Sequence, residues 1–340
     1  MPAVLINCRA ASRPELGGVE RWARELATRL PALGTRDYRL VRPPAAMTHR
    51  AGQLWEQAAL PLEARRVNAP LLINPANLAP VAFPRNLVHI FDAAALREPS
   101  WYSNLYAGYQ RRLLPQIARR AQAIVTGSQF AKDELIELLG VSGSKVHVIA
   151  GGVDASFSPA ADAGEARARL SLDAHYVLCV ASRTARKNLG SLEPAARLLA
   201  AEGIELVVAG GDRPQFKDQA GAGAVRFLGY VDDALLPGLY AGASAFVLPS
   251  LHEGFGLTAL EAMASGVPTV LSSAGALPET GASAALYADP LDPLAIADQI
   301  LAAIGNQKLA DAGVARAAQF SWDRTALSLD QLVGELVASK

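Results

Sequence analysis

The chain has 340 residues, 51% of them hydrophobic and 19% charged, which is enough for two ordinary domains with a large core in each. No apolar run reaches bilayer-spanning length, so a membrane-spanning helix is excluded at this level. Net charge is zero, but residues 1–150 carry 19 basic and 11 acidic side chains (net +8) and residues 151–340 carry 13 and 21 (net −8), so the first half is suited to face something anionic.

In chain order, Val4–Cys8 reads as a strand with no basic segment before it, which points away from a signal peptide. A loop ends in Gly17-Gly18, and Val19, Trp22, Ala23, Leu26 and Leu30 then follow helical spacing. Leu71–Ile73, Leu87–Phe91, Ala123–Thr126 and Val146–Ile149 read as further strands. Helices are predicted over Tyr102–Ala121, with Pro115 kinking or splitting the first, and over Gln129–Leu139. Gly151–Asp154 and Ser158–Ala160 read as a domain connection. The pattern then restarts with strands at Tyr176–Ala181, Ile204–Ala209, Val225–Leu228, Ala245–Pro249 and Thr269–Ser272. The second of these ends in Gly210-Gly211-Asp212, and a helix starts at Leu189. Strands alternating with helices predict two doubly wound parallel α/β domains, with ligands beyond the carboxyl ends of the strands and in a cleft between the domains. Cys8 and Cys179 sit in strand-like runs and read as buried thiols in a reducing compartment. His49, His89, His147, His175 and His252 show no metal-ligand spacing.

The most informative stretch runs from Ser250 to Gly266. Glu253 precedes Gly254-Phe255-Gly256-Leu257, a helix follows at once, and Glu261 rides its first turns. Glycines let backbone approach a ligand, and the new helix offers N–H groups and a positive dipole end to an anion such as a phosphate. Two carboxylates beside that spot suit neutral sugar hydroxyls. An exposed surface glutamate followed by a helix glutamate near a favourable dipole end, or a glycosidase-like acid and nucleophile, are the competing readings. Arg183 and Lys187, between a strand and a helix, offer a planar fork and a point charge for a leaving diphosphate, or are an ordinary solvated basic loop. Gly17 and Gly18 either admit a phosphate or sugar or form a plain turn. No G-x-G-x-x-G and no G-x-x-x-x-G-K-[ST] occurs. Asp92 either orients an acceptor hydroxyl or caps a helix. Arg97–Arg120 holds Trp101, Tyr102, Tyr106 and Tyr109 among five arginines and one acid. That mixture suits an anionic bilayer surface, or equally helices with aromatics packed inward and arginines solvated. Nucleic acid is disfavoured by the acidic second half.

At this point the residues resemble a family. Glu253-Gly254-Phe255-Gly256-Leu257 through Glu261-Ala262-Met263-Ala264-Ser265-Gly266 is similar to the E-x7-E signature of retaining glycosyltransferase family 4. Gly17–Arg21, Arg183 with Lys187-Asn188, Gly229-Tyr230, Leu277-Pro278-Glu279 and Asp289-Pro290 extend the resemblance over nearly the whole length. It implies the GT-B fold, two Rossmann-like doubly wound domains facing a central cleft. Residues 1–155 would bind the acceptor and 156–320 the nucleotide sugar, and a last helix in 321–340 (Ser321–Val337) would cross back to the first domain. It also implies roles: Glu253 for the donor sugar hydroxyls, Glu261 for the ribose, Arg183 and Lys187 for the diphosphate with amides around Phe255–Leu257, Gly229–Val231 for the base, and Gly17-Gly18 for the sugar diphosphate. Two positions depart from the pattern. Phe91-Asp92 stands where many relatives have His-Asp, with His89 two residues earlier, and Ala150-Gly151-Gly152-Val153-Asp154 replaces a common Asn-Gly-Val-Asp.

Gly52–Gln57 with Leu60-Pro61, and Asn74–Asn77, resemble segments of bacterial mannosyl- and rhamnosyltransferases of surface polysaccharide and lipopolysaccharide synthesis, which commonly use GDP-sugars and lipid-linked acceptors. The resulting expectation is a retaining, metal-independent hexosyltransferase. It would have a nucleotide-sugar donor, a lipid-linked or saccharide acceptor and no cofactor, and would be cytoplasmic with peripheral contact at the inner membrane face. The rivals are a sugar-nucleotide epimerase and a catalytically silent nucleotide-sugar-binding partner subunit.

Overall fold

The computed structural model describes residues 3–13, 17–47, 52–172, 175–211 and 223–338. His49 and Asp212 lie outside them. The chain divides into two compact units. The first comprises residues 1–97, 107–152 and 321–340, and the second residues 98–106 and 153–320. Residues 98–106, which the sequence reading placed in the N-terminal domain, thus belong to the second unit.

In the first unit the strands are β1 (Val4–Asn7), β2 (Tyr38–Val41), β3 (Leu72–Asn74), β4 (Asn86–His89), β5 (Ala123–Thr126) and β6 (Val146–Val148). They form a wholly parallel sheet in the order β2-β1-β3-β4-β5-β6. Most of these strands are short buried runs, as expected of a sheet covered on both faces. The helices are α1 (Gly18–Leu33), α2 (Gly52–Arg66), α3 (Ala94–Arg97), α4 (Asn104–Arg120), of which residues 104–106 belong to the second unit, α5 (Gln129–Leu139) and, from the far end of the chain, Trp322–Ala338. Pro115 does not split α4. Ala107, Gln110, Leu114, Ile117 and Ala118, at i, i+3 and i+4 spacing, bury one face on both sides of the proline. Gly152 is sterically obligatory, because a Cβ there would lie 2.1 Å from the Trp322 backbone nitrogen. Gly152 is the glycine that the common Asn-Gly-Val-Asp also carries, and the departure is Gly151 before it.

The second unit repeats the scheme. After α6 (Ala163–Leu170) come β7 (Tyr176–Val180), α7 (Glu193–Ala201), β8 (Glu205–Ala209), β9 (Arg226–Gly229), α8 (Leu236–Ala241), β10 (Ala245–Leu248), α9 (Leu257–Ala264), β11 (Thr269–Ser272), α10 (Leu277–Gly281), β12 (Leu286–Ala288), α11 (Pro293–Ala303) and α12 (Gln307–Ala317); Trp322–Ala338 is α13. The parallel sheet has the order β12-β11-β10-β7-β8-β9. The chain winds outward from β7 to β9, then restarts on the other side of β7 with β10. Loops leaving the carboxyl ends of β7 and β10 therefore diverge over a crevice, the position where open α/β sheets hold ligands.

Candidate active site

The two loops at that switch point are Ala181–Asn188 and Pro249–Gly256. They are tied together by backbone and amide bonds. Leu251 N–H donates to the Arg186 carbonyl at 2.9 Å. Asn188, in the left-handed region at φ 55°, donates through Nδ2 to the carbonyls of Pro249 (3.2 Å) and Pro290 (2.7 Å). Asn188 and Asp289-Pro290, quoted separately in the sequence motif, thus belong to one fastening.

Glu253 is 7% exposed, so the surface-glutamate alternative falls. Its Oε1 accepts from Lys187 Nζ and, at 2.7 Å, from Ser250 Oγ; its Oε2 lies 3.7 Å from Arg186 Nη1. Burial opposes the charge, but Lys187, Arg186 and the Ser250 hydroxyl outweigh it and hold the carboxyl down at about 2. The Ser250 carbonyl accepts from Ser272 Oγ at 2.6 Å, which joins this loop to the end of β11. A further support is Gly275, at φ +64°, where a Cβ would sit 2.7 Å from the Glu253 nitrogen, while Ala276 N–H donates to the Glu253 carbonyl at 2.9 Å. Neither Arg186 nor Gly275 was singled out from sequence. The signal for Arg186 was its place between Arg183 and Lys187, whereas Gly275 carries no motif.

Gly256, at φ +108°, is the residue before α9; a Cβ there would meet Leu277 Cδ2 at 2.9 Å. The turn from Gly254 to Gly256 is buried, and Phe255 packs edge-on against Phe320 at 5.9 Å. Leu257 starts the helix, whose first N–H groups have no partner within it. Glu261 is 5% exposed, and its Oε2 accepts a 2.9 Å hydrogen bond from the Tyr240 hydroxyl.

Arg183 is not a solvated loop residue either. Its guanidinium lies over the Phe227 ring, 5.1 Å from the centroid. The second cation found on Glu253 is Arg186, not Arg183. Gly229 ends β9 at φ +70°, Tyr230 is 48% exposed and Val231 is buried. Trp101, in the stretch 98–106, brings its ring to 6.2 Å from that of His252, the neighbour of Glu253.

The remaining residues named from sequence lie in the first unit. Gly17 precedes α1 with extended backbone (φ −115°, ψ −176°) and donates its N–H to Glu20 Oε2 at 3.1 Å; Gly18 is the first helical residue. Asp92 Oδ1 accepts from Ala94 N–H at 3.1 Å, in keeping with its helix-initiating alternative. Phe91 and His89 share one aromatic cluster with Trp22: His89 lies 4.1 Å from Trp22 and 4.0 Å from Phe91. His89 is 3% exposed, and neither ring nitrogen has a hydrogen-bond partner among the described residues. Burial lowers its pKa to about 3, so it is a neutral core residue. Over Arg97–Arg120 the aromatic-inward reading fits, since Arg111, Arg112, Arg119 and Arg120 of α4 are exposed, whereas Tyr102, just before the helix, is buried and stacked on Tyr106 at 5.5 Å. The sequence reading also missed a buried ion pair between Arg9 and Glu56 (3.2 Å; 4% and 1% exposed), with Asn7 Nδ2 donating to Glu56 Oε1 at 2.6 Å. No cluster of three or more metal-ligating side chains occurs among the described residues. No helix among them is long and apolar enough to cross a membrane.

Comparison with known proteins gives this geometry a family. Residues 174–306 match the model for glycosyl transferases group 1, and residues 88–157 that for glycosyltransferase family 4. The chain is 32% identical to the O-antigen chain mannosyltransferase B of Escherichia coli over 262 residues, covering 72% of this chain and 68% of that one. It is 34% identical to the mannosylfructose-phosphate synthase of Agrobacterium fabrum, covering 52% of this chain but 43% of that protein. Among solved structures, sucrose-phosphate synthase from Thermosynechococcus elongatus superposes with a TM-score of 0.77 over the whole of both chains at 21% identity. Anabaena Alr3699/HepE in complex with UDP-glucose gives 0.72 at 20% identity, covering 99% and 100% of the two chains. These two likenesses establish the α/β fold of the GT-B glycosyltransferases, and the sequence matches the membership: the chain belongs to glycosyltransferase family 4.

Proposed function

We propose that this protein is a retaining hexosyltransferase that moves mannose or a related sugar from a GDP-sugar onto a lipid-linked or saccharide acceptor in cell-surface polysaccharide synthesis. The observation that carries the reading is the buried Glu253 carboxylate, held ionised at the switch point of the second sheet by Lys187, Ser250 and Arg186. A general acid needs a raised pKa, so a carboxyl held at about 2 suits acceptance of sugar hydroxyls and not the glycosidase-like alternative. The mannosyltransferase relative supports the choice of sugar.

In this reading the donor diphosphate takes Lys187, with Arg183 beside it, while the sugar hydroxyls take Glu253. Gly254–Leu257 brings backbone amides and the start of α9 close to the phosphates. The bond between the sugar's anomeric carbon and the phosphate oxygen breaks, and the cations and helix amides stabilise the leaving diphosphate. The acceptor hydroxyl bonds to the same face of the sugar and its proton passes to the departing phosphate oxygen. No protein nucleophile takes part, and the side-chain cations supply the charge that a metal would otherwise supply. Gly229–Val231 meets the base, Glu261 the ribose, Gly17-Gly18 the sugar diphosphate, and Asp92 orients the acceptor. Cytoplasmic placement and peripheral contact of the exposed α4 arginines with anionic lipid complete the proposal; binding to anionic vesicles that high salt abolishes is the expected result.

The test is product analysis by NMR after incubation with GDP-mannose and a saccharide acceptor. An α-linked product from the α-configured donor is expected. A β-linked product, or an altered nucleotide sugar with no new glycoside, would overturn the proposal, the latter in favour of an epimerase.

A further inference from the structure

Tyr240 is 0% exposed in α8, and its ring is pinned by Phe157 edge-on at 5.6 Å and Phe246 at 5.7 Å. A ring held on two sides carries its hydroxyl to a fixed point, and there it donates to Glu261 Oε2 at 2.9 Å. Glu261 sits one turn into α9 and is itself buried. A carboxylate has about four acceptor positions, so the tyrosine fixes its rotamer and leaves it capacity for further donors.

We infer that Tyr240 is a positioning residue that holds Glu261 for the ribose hydroxyls of the donor and thereby selects ribonucleotide over 2′-deoxyribonucleotide sugars. The inference rests on the reading of Glu261 as the ribose ligand. Its physical basis is the asymmetry of buried hydrogen bonding. A held carboxylate that loses its hydroxyl donor stays buried and under-satisfied, whereas a mobile one turns to water or to another donor. Preference for the ribose hydroxyl therefore depends on how firmly the carboxylate is held. One consequence is that dTDP-linked sugars are poor donors.

The test measures Kd by calorimetry for GDP, UDP and ADP, then compares the tightest binder with its 2′-deoxy and 3′-deoxy forms. Wild type, Tyr240→Phe and Glu261→Gln are assayed in parallel. Wild type is expected to prefer the ribonucleotide by about tenfold or more, a preference of the size set by one hydrogen bond to a charged group. Glu261→Gln should lose nearly all of that preference. Tyr240→Phe, which keeps the ring, should lose at least about a third of its logarithm, while a merely structural tyrosine would lower Tm and leave the ratio unchanged. Should Tyr240→Phe fail to fold, Phe157→Leu, which loosens the ring and keeps the hydroxyl, is expected to lower the same ratio. An unchanged ratio in the folded tyrosine or phenylalanine variant overturns the Tyr240 assignment alone. A wild type that binds none of the three nucleotides or shows no ribose preference, or a Glu261→Gln variant that keeps it, overturns the ribose reading beneath it.

Discussion

Lys187 and Glu253 meet in a place where either alone would be costly. Removing one partner of a buried ion pair leaves an uncompensated charge, typically at about 3–5 kcal/mol, so an alanine variant at Lys187 reads both stability and chemistry. Transfer by Lys187→Ala and Glu253→Ala is expected to fall by about two orders of magnitude or more in steady-state assays, the scale of losing charge stabilisation in a transition state. A near-normal rate in both variants would reject the site. Protonation separates two buried groups. The Glu253 carboxyl is held at about 2 against an ordinary 4.5, so its stabilisation is complete above pH 4.5 and is lost as pH falls toward 2. The His89 imidazole is held at about 3 against 6.5, so the unfolded chain takes up its proton first, and the stability it favours is complete above pH 6.5 and declines as pH falls toward 3. Urea titrations across pH should show a flatter acid limb below pH 4.5 for Glu253→Gln, and a flatter one between pH 6.5 and 3 for His89→Phe. Unchanged slopes would contradict the assignments. At this scale the sequence displayed Glu253, Glu261 and the glycine turn, because spacing alone puts them on one loop and one helix, and it displayed Lys187 as a cation of a separate strand-to-helix loop. It concealed Arg186 as the cation beside Glu253, because a one-turn 3-10 helix at Ala185–Lys187 decides which basic side chain turns inward.

Loops and helices show where glycine is obligatory. Gly275→Ala would place a methyl against the Glu253 backbone at a positive φ, whereas Gly203, also at φ +70°, has nothing within 4 Å of its Cβ position. Thermal melts should therefore show Gly203→Ala costing about 1 kcal/mol from backbone strain, and Gly275→Ala costing more and weakening donor binding as well. Equal losses, with binding intact in both, would contradict the role of Gly275 as a support for Glu253. In the first unit, Glu56→Leu strands Arg9 in the core and should lower stability by about 3–5 kcal/mol in urea denaturation; a variant as stable as wild type would deny that the pair is needed. Elements with a single strong period were legible: β5, α5 and β11 have the bounds read from sequence. The edge strands β2 and β12 were not read, because each is short and partly exposed and pairs with one neighbour only. Helix α2 offers no apolar stripe to read, because its buried residues, Gly52, Trp55, Glu56, Leu60, Pro61 and Ala64, include a charge and a proline.

Across the whole molecule, alternation of strands and helices sufficed to read two parallel α/β units, since such sheets need buried apolar strands and crossover helices. It did not reveal that residues 98–106 leave the first unit for the second, because that exchange depends on packing such as Trp101 beside His252. The charge split of +8 and −8 places the acidic surplus in the half that holds the proposed donor site. The anion must therefore be held by local groups, namely Lys187, its arginine neighbours and the amides of α9, not by the field of the unit. The most direct test of that claim is calorimetric titration of GDP-, UDP- and ADP-linked sugars into wild type and Lys187→Ala. Wild type is predicted to bind at least one of them, with affinity falling by about 100-fold in the variant, in line with loss of a buried charge contact to phosphate. Equal affinity in both proteins, or no binding to either, would contradict it.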